Sequence, residues 1–157
     1  MNTNTNPPPT APATATAPTP APTPAPAITR HKQLSIFLEN SPGHLKRMCE
    51  ILAAARVNIE TLAIAETNNF GVVRIIVDKP DAASAALEQS GLAFKQVDVL
   101  AVEIPDTPGA LLAILEKAQA ANLNIEYMYA LTKGRPECPA LAMRFTDPDR
   151  AEKSLKT

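Results

Sequence analysis

Two stretches decide the fold because they are copies of one another: PGHLKRMCEILAAARVNIE at residues 42–60 and PGALLAILEKAQAANLNIE at residues 108–126. At an offset of 66 they are identical at nine of 19 positions, namely 42, 43, 45, 50, 54, 55, 58, 59 and 60. A second block, residues 79–83, matches residues 147–151 at an offset of 68. The chain therefore carries an internal duplication, with units of about 65 residues.

Periodicity predicts the elements of each unit. Leu34, Ile36 and Leu38 alternate with polar or exposed positions, which is typical of a strand. Apolar residues then recur at helical spacing, and Ser41 and Thr107 are the predicted N-caps of the two copies of this helix. A hairpin of two strands, an Ala-rich helix and a further strand follow. The order β-α-β-β-α-β, twice, predicts an α+β fold: a ferredoxin-like sandwich in two tandem repeats, with antiparallel sheets and the helices on one face.

The predicted domain division is a Pro/Ala/Thr-rich tail at 1–29, a first domain at 30–98 and a second at 99–157. The tail lacks charge and large apolar side chains, so we expect it to be disordered. The second unit ends without residues for its last strand. Three alternatives remain: an open edge, a strand supplied by residues 28–32, or a strand supplied by a partner chain.

Composition excludes several classes of function. Fifteen Lys and Arg against 16 Asp and Glu leave a net charge of −1. The sequence therefore lacks the excess of basic residues that binding to nucleic acid or to an anionic membrane usually needs. Two Cys and two His offer little material for a metal centre, and no cofactor motif is present. We expect a cytoplasmic protein without a cofactor or bound metal and without nucleic-acid or membrane partners.

The strongest local signal is a strand-to-helix turn that occurs in both units, as Asn40-Ser41-Pro42-Gly43-His44-Leu45 and as Asp106-Thr107-Pro108-Gly109-Ala110-Leu111. Free amide groups at a helix N-terminus attract a carboxylate, and glycine removes the Cβ that would block its approach. The structural alternative is a simple helix start. The matching Asn58 and Asn124, each just after the same helix, favour a ligand site, although a helix-ending Asn is also explained by its tolerance of the left-handed conformation.

This combination of turn, helix and (Val/Leu)-Asn-Ile-Glu resembles the ACT domain family, over essentially all of residues 33–157. The resemblance implies a non-catalytic regulatory module that binds a small ligand, most often an amino acid, at the seam between two units. It implies one site from Asn40, Ser41, Pro42, Gly43, His44 and Leu45 with Asn124 and Ile125. It implies a twin site from Asp106, Thr107, Pro108, Gly109, Ala110 and Leu111 with Asn58 and Ile59.

The two predicted sites are not equivalent. Asp106 in place of Asn40 suits an ammonium group and disfavours a second carboxylate. His44 in place of Ala110 either sets pocket size and pH response or is simply exposed. Tyr127 and Tyr129 replace Thr61 and Ala63, and we interpret the tyrosines as packing residues.

The functional hypothesis is therefore a sensor for a free amino acid that forms a homodimer and acts on a partner protein or pathway, with an enzyme as one candidate partner. The alternative is a regulatory subunit resembling the small subunit of acetolactate synthase, which acts on a separate catalytic chain. An enzyme is disfavoured because the sequence shows no nucleophile–base pair.

Overall fold

The computed structural model describes residues 27–66, 70–132 and 139–156. These residues form six strands and four helices: β1 Ile28–Glu39, α1 His44–Ala54, β2 Ile59–Glu66, β3 Phe70–Val77, α2 Pro80–Gln89, β4 Phe94–Glu103, α3 Ala110–Ala120, β5 Ile125–Ala130, β6 Ala140–Phe145 and α4 Pro148–Leu155. The predicted α+β fold is confirmed. No helix in these ranges has the length and apolar character needed to cross a membrane.

All six strands belong to one antiparallel sheet with the order β2-β3-β1-β4-β6-β5. The long strands β1 and β4 form its centre. Residues 28–32, the first half of β1, pair only with β4, beginning with Ile28 opposite Val102. Residues 33–36 pair with both β4 and β3, and residues 37–39 pair with β3. In the same way, the last residues of β4 pair with β6. Each four-stranded unit is thus completed by a central strand that it shares with the other unit.

This pairing supplies the strand that the second unit lacks. Of the three alternatives from the sequence, the structure shows residues 28–32 opposite residues 98–102 of β4. The division at residue 98 or 99 falls within β4, a continuous strand that serves both units. The domain bounds stay a prediction, while the sheet itself is undivided.

All four helices pack on the same face of the sheet. Directly opposite residues of an antiparallel pair point to the same side, and alternate residues of a strand share a side. Leu34, Ile36 and Leu38 of β1 pack against Met48 and Leu52 of α1 and Ala83 and Leu87 of α2. Leu100 and Val102 of β4 pack in the same way against Ile114 and Ala118 of α3 and Ala151 and Leu155 of α4.

The duplication extends to backbone detail. Arg56 and Asn122, 66 residues apart, are the two non-glycine residues of the described chain with positive φ, and each follows the long helix of its unit. Both hairpins carry a register irregularity at matching places, between Ile59 and Thr61 and between Ile125 and Tyr127. The repeat is therefore present in the backbone conformation as well as in the sequence.

The sheet face opposite the helices is concave. Tyr127 and Tyr129 of β5 hydrogen-bond to the Gln33 side chain of β1, and the Arg74 guanidinium of β3 lies 4.1 Å from the Tyr127 ring centre. Because β1, β4 and β6 separate β3 from β5 in the sheet order, these contacts require the sheet to curl. At one end of the curl, Thr132 donates a hydrogen bond to the Glu60 carbonyl group of β2. The interpretation of the tyrosines as packing residues agrees with this arrangement.

Candidate functional site

Both predicted turns are built around a left-handed glycine. Gly43 (φ 93°) and Gly109 (φ 86°) are the N-cap residues of α1 and α3. A Cβ placed on either glycine would meet nothing within 4 Å. Glycine is therefore required here by the backbone conformation, and the space in front of each helix start is open.

The sequence-based capping assignment was wrong. The N-cap residues are Gly43 and Gly109 and not Ser41 and Thr107, and within the described part of the chain no side-chain cap is present at either helix start. The carbonyl groups of Ser41 and Thr107 instead accept hydrogen bonds from the His44 and Ala110 amides, at 3.4 and 3.2 Å. With Ser41 and Thr107 as caps, Pro42 and Pro108 would occupy the first helical position; instead they lie in the turns, before the N-cap glycines.

The open helix start suits an anionic group. The first amides of an α-helix have no partner within the helix, and the helix dipole gives this end partial positive charge. In α1 and α3 the turn carbonyl group accepts a hydrogen bond from the first of these amides. The amides of Leu45, Lys46 and their counterparts have no side-chain acceptor among the residues that the structure describes. A ligand carboxylate is the kind of group that would satisfy them.

The polar surroundings differ between the two turns. His44 Nε2 lies 3.8 Å from the Glu39 carboxylate, and both side chains are substantially exposed. At the second turn, Asp106 is exposed. The sequence analysis missed Glu39, because its proximity to His44 follows from the turn geometry and not from a motif.

Apolar side chains accompany both turns at the surface. Leu45 and Leu111, which follow the glycines, are 38% and 36% exposed, and Leu112 is 58% exposed. Leu62 and Ile64 on β2 and Met128 on β5 add exposed apolar surface on the two edge strands. Single exposed apolar residues are ordinary, but their recurrence in both repeats indicates surface available for contact.

The paired asparagines lie at the starts of the edge strands. The backbone amide of Asn58 donates to Asp78 Oδ1 at 2.8 Å, whereas the side-chain Nδ2 of Asn124 donates to Thr146 Oγ1 at 3.4 Å. Neither asparagine has positive φ; that conformation belongs to Arg56 and Asn122, two residues earlier. The left-handed explanation for the conserved position of the two asparagines between the repeats is therefore wrong.

Within one chain, the hydrogen bonds of Asn58 and Asn124 join them to Asp78 and Thr146 and not to the turns that they were predicted to serve. Because β1 and β4 are antiparallel, the turns that follow them lie at opposite ends of this central pair. Asn124 and Ile125 begin β5, which β4 and β6 separate from β1, and the hydrogen bonds described for Asn124 go to Thr146. By the same order, Asn58 and Ile59 begin β2, at the opposite edge of the sheet from unit two. The seam stays a prediction.

Three predictions from the sequence concern residues that lie wholly or partly outside 27–66, 70–132 and 139–156. The tail predicted to be disordered covers residues 1–26, which lie outside the described residues, but also Ile28 and Thr29, which belong to β1. The sequence also predicts a tight turn near Asn68-Asn69 and an exposed Cys138, and both lie outside the described residues. Cys49, which lies on the apolar stripe of its helix and was predicted to be buried, is a free thiol that is partly buried against the first core cluster.

The sequence matches the family model of the ACT domain pair over residues 29–156. The chain belongs to this family. The match covers both repeats together, in agreement with the shared sheet of the two units. No curated protein matches the sequence.

Among solved structures, the ACT domain pair is similar to protein BT0572 of Bacteroides thetaiotaomicron, with 37% identity and a TM-score of 0.75, covering 82% of this chain and 88% of that one. The regulatory subunit of aspartate kinase from Thermus thermophilus, in its ligand-free form, shares 16% identity with a TM-score of 0.59, covering 83% and 92% of the two chains. Escherichia coli aspartokinase III in complex with lysine and aspartate shares 16% identity with a TM-score of 0.52, covering 86% of this chain and 33% of that one. The last two comparisons show a common fold.

Proposed function

We propose that this ACT domain pair is a non-catalytic regulatory module that binds a free amino acid at its Pro-Gly turns. The single observation that carries the proposal is the pair of helix starts, each with a left-handed glycine, open space and no side-chain cap. A zwitterion suits this geometry because its carboxylate can accept from the first-turn amides. Asp106 at the second turn supplies an anion for the ammonium group.

The proposed site is completed across a homodimer. One chain keeps Asn58 and Asn124 on the two edge strands, away from the turns they would serve. The exposed Leu45, Leu62 and Leu111 provide apolar surface that a second copy could cover. A ligand held between two copies would favour one relative arrangement over others, which is the basis of allosteric control.

We further propose that the module acts on a separate catalytic partner. The support is its likeness in fold and length to the regulatory subunit of the Thermus thermophilus aspartate kinase. The described residues contain no group of three or more His, Cys, Asp or Glu that could hold a metal ion. A hydrolytic or transfer activity is not the function that the turns support.

Calorimetric titration with the twenty amino acids tests the binding claim. The chain should bind at least one of them in the millimolar range or tighter, and Gly43→Leu or Gly109→Leu should weaken that binding at least tenfold. Gly91→Leu is a matched control, because Gly91 also has positive φ (71°) and open space but lies beyond α2, away from both turns. Each of these substitutions costs roughly 1–2 kcal/mol in backbone strain, so only the turn variants should lose the ligand. Equal loss in all three variants, or no binding by the unaltered chain, would refute the proposal.

A further inference from the structure

The concave face of the sheet carries a guanidinium group without an anionic partner. Arg74 of β3 lies on this face, with its guanidinium 4.1 Å from the Tyr127 ring centre. The residue is partly buried, and its guanidinium forms no hydrogen bond or ion pair with any described residue. Among the guanidinium nitrogens, Nε alone is both covered and without a partner, so the two Nη atoms are accessible to a further group.

A partly buried guanidinium without an anion requires a physical reason. Arginine stays protonated in proteins, so it cannot relieve the cost of burial by losing its proton, as a lysine can. Buried charges in proteins are normally paired or bind an ion. The cation–π contact with Tyr127 offsets part of this cost. It satisfies none of the N–H donors of Arg74, and the donors on the two Nη atoms remain available to an acceptor.

The residues directly beside Arg74 leave space around its guanidinium. In the sheet, Arg74 lies between Ala63 of β2 and Ser35 of β1, and both neighbours are small. The matching pair of the second repeat is Tyr129 opposite Ala142, so there the large side chain comes from the edge strand. In the first repeat this order is reversed. Neither neighbour of Arg74 is long enough to cover the guanidinium or to supply it with a carboxylate.

The charged residues on this part of the concave face are basic. Ser35 pairs on its other side with Lys95 of β4, which therefore lies on the same face as Arg74, two strands away. Lys95 is exposed. The carboxylate of Glu126 on β5 is engaged elsewhere, 3.6 Å from the guanidinium of Arg144. The row formed by Arg74, Ser35 and Lys95 therefore attracts anions and repels ammonium groups.

Apolar surface lies next to this basic row. Phe37 follows Ser35 by two positions on β1, and Val72, which pairs with Phe37, precedes Arg74 by two positions on β3. Alternate residues of a strand share a face, so Phe37 and Val72 lie beside Arg74 on the concave side. Phe37 is 48% exposed. A ring with this exposure offers a contact to an apolar or aromatic group.

From this combination we infer that the concave face holds a second ligand site, distinct from the turns, that takes a small carboxylate with an apolar or aromatic portion and no ammonium group. The carboxylate accepts from the two Nη atoms of Arg74, whose planar fork matches its two oxygens. Lys95 adds a second positive charge, and the apolar portion contacts Phe37 and Val72. An ammonium group would meet two cations here, whereas Asp106 at the second turn suits one.

Titration of the isotope-labelled full chain with benzoate, followed by ¹H–¹⁵N NMR, tests the site. The amides of Ser35, Phe37 and Arg74 should shift saturably in the millimolar range, and benzylammonium and free phenylalanine should bind there at least tenfold more weakly. Absence of saturable shifts at these amides, or shifts confined to residues 43–46 and 109–112 of the turns, would overturn the site. Equal binding of benzylammonium would overturn the assignment to an anion, and equal binding of phenylalanine would overturn the exclusion of an ammonium group.

Two substitutions of Arg74 separate a ligand site from a structural stack on Tyr127. Arg74→Met keeps an apolar stem but removes an unpaired charge, so it should abolish benzoate binding without lowering the midpoint of thermal unfolding. Arg74→Lys keeps the charge but loses the planar fork, so it should weaken benzoate binding at least fivefold. Unchanged binding in both variants, or clear destabilisation by Arg74→Met, would contradict the inference.

Arg47→Met is the matched control. Arg47 is an exposed arginine of α1, on the other side of the sheet, where its guanidinium donates to the Ser90 carbonyl group at 3.5 Å. Benzoate binding at the concave face should be unchanged in this variant and in Gly43→Leu. Equal loss in Arg47→Met and Arg74→Met would show a general attraction to positive charge, and loss in Gly43→Leu would show that the site is not separate from the turn; either result would overturn the inference.

Discussion

At the scale of single residues, Gln33 joins the two repeats through a fully satisfied buried amide. Its side chain is 0% exposed; Nε2 donates to Ser35 Oγ (2.8 Å) and Tyr127 Oη (2.9 Å), and Oε1 accepts from Tyr129 Oη (2.9 Å). A buried amide is tolerated only when its donors and acceptors are paired. The tyrosines of one repeat thus fix the concave face of the other.

Tyr129→Phe should destabilise the fold through this amide. The substitution removes the donor to Gln33 Oε1 and leaves that oxygen buried without its partner, which costs about 1–3 kcal/mol. Urea unfolding should show a lower midpoint with an unchanged slope. A variant as stable as the unaltered chain would show that the hydrogen bond contributes nothing.

The same residue predicts an alkaline dependence of stability. Burial, together with the neighbouring Tyr127, raises the pKa of Tyr129 in the folded chain. An unfolded tyrosine titrates near pH 10, so above about that pH the unfolded chain releases the proton more readily and the free energy of unfolding falls. The stability difference between the unaltered chain and Tyr129→Phe should therefore shrink as the pH rises past about 10. A difference that stays constant would contradict the burial of this hydroxyl.

At the scale of elements, β1 is the strand that makes two repeats into one sheet. Its first half completes the second unit, where Ile28 is 8% exposed within the second core cluster. Arg30 adds ion pairs to Asp149 and Glu152 of α4, each at 2.7 Å. The second repeat is therefore held in part by residues at the other end of the chain.

Removal of the first half of β1 should unfold the second unit selectively. A chain that begins at residue 27 keeps the pairing of β1 with β4 and should unfold like the full chain. A chain that begins at residue 33 exposes the edge of β4 and the cluster around Phe145, so the amides of α3, α4 and β6 should exchange with solvent much faster. Hydrogen exchange followed by mass spectrometry distinguishes the two. Equal protection in both chains would contradict the shared-strand architecture.

The helices and strands could be predicted from the sequence because each shows its own period of apolar residues. Alternation around Leu34 and the helical stripe around Met48 are local signals, and their repetition 66 residues later strengthened both. The N-caps of α1 and α3 were mispredicted because Gly43 and Gly109 act through their backbone conformation, which a preference for Ser or Thr at caps does not capture.

Long-range features were harder to predict, for a different reason. Which strand pairs with β4, and how far the sheet curls, depend on contacts such as Tyr129 with Gln33 that lie 96 residues apart. The turns were predicted as candidate ligand sites, and the structure shows them open. The seam between two units stays a prediction, because no contact within one chain tests it.

At the scale of the whole molecule, the two turns occupy opposite ends of one rigid central strand pair. The approximate twofold relation between the repeats passes near Lys32 and Asp98, which face each other in β1 and β4. The repeats are similar in backbone but differ at Asn40 and Asp106 and at Thr61 and Tyr127. Ligands at the two turns would therefore lie at opposite ends of the central strand pair, with different polar residues beside each.

The most direct test of the central claim is a set of ¹H–¹⁵N NMR spectra of the full chain with each of the twenty amino acids. For at least one amino acid, saturable shifts should concentrate at the amides of residues 43–46 or 109–112, where the helix starts are open. Gly43→Leu and Gly109→Leu should remove the shifts at their own turns. Saturable shifts confined to other residues, or no saturable shift at either turn with any amino acid at millimolar concentration, would contradict the account.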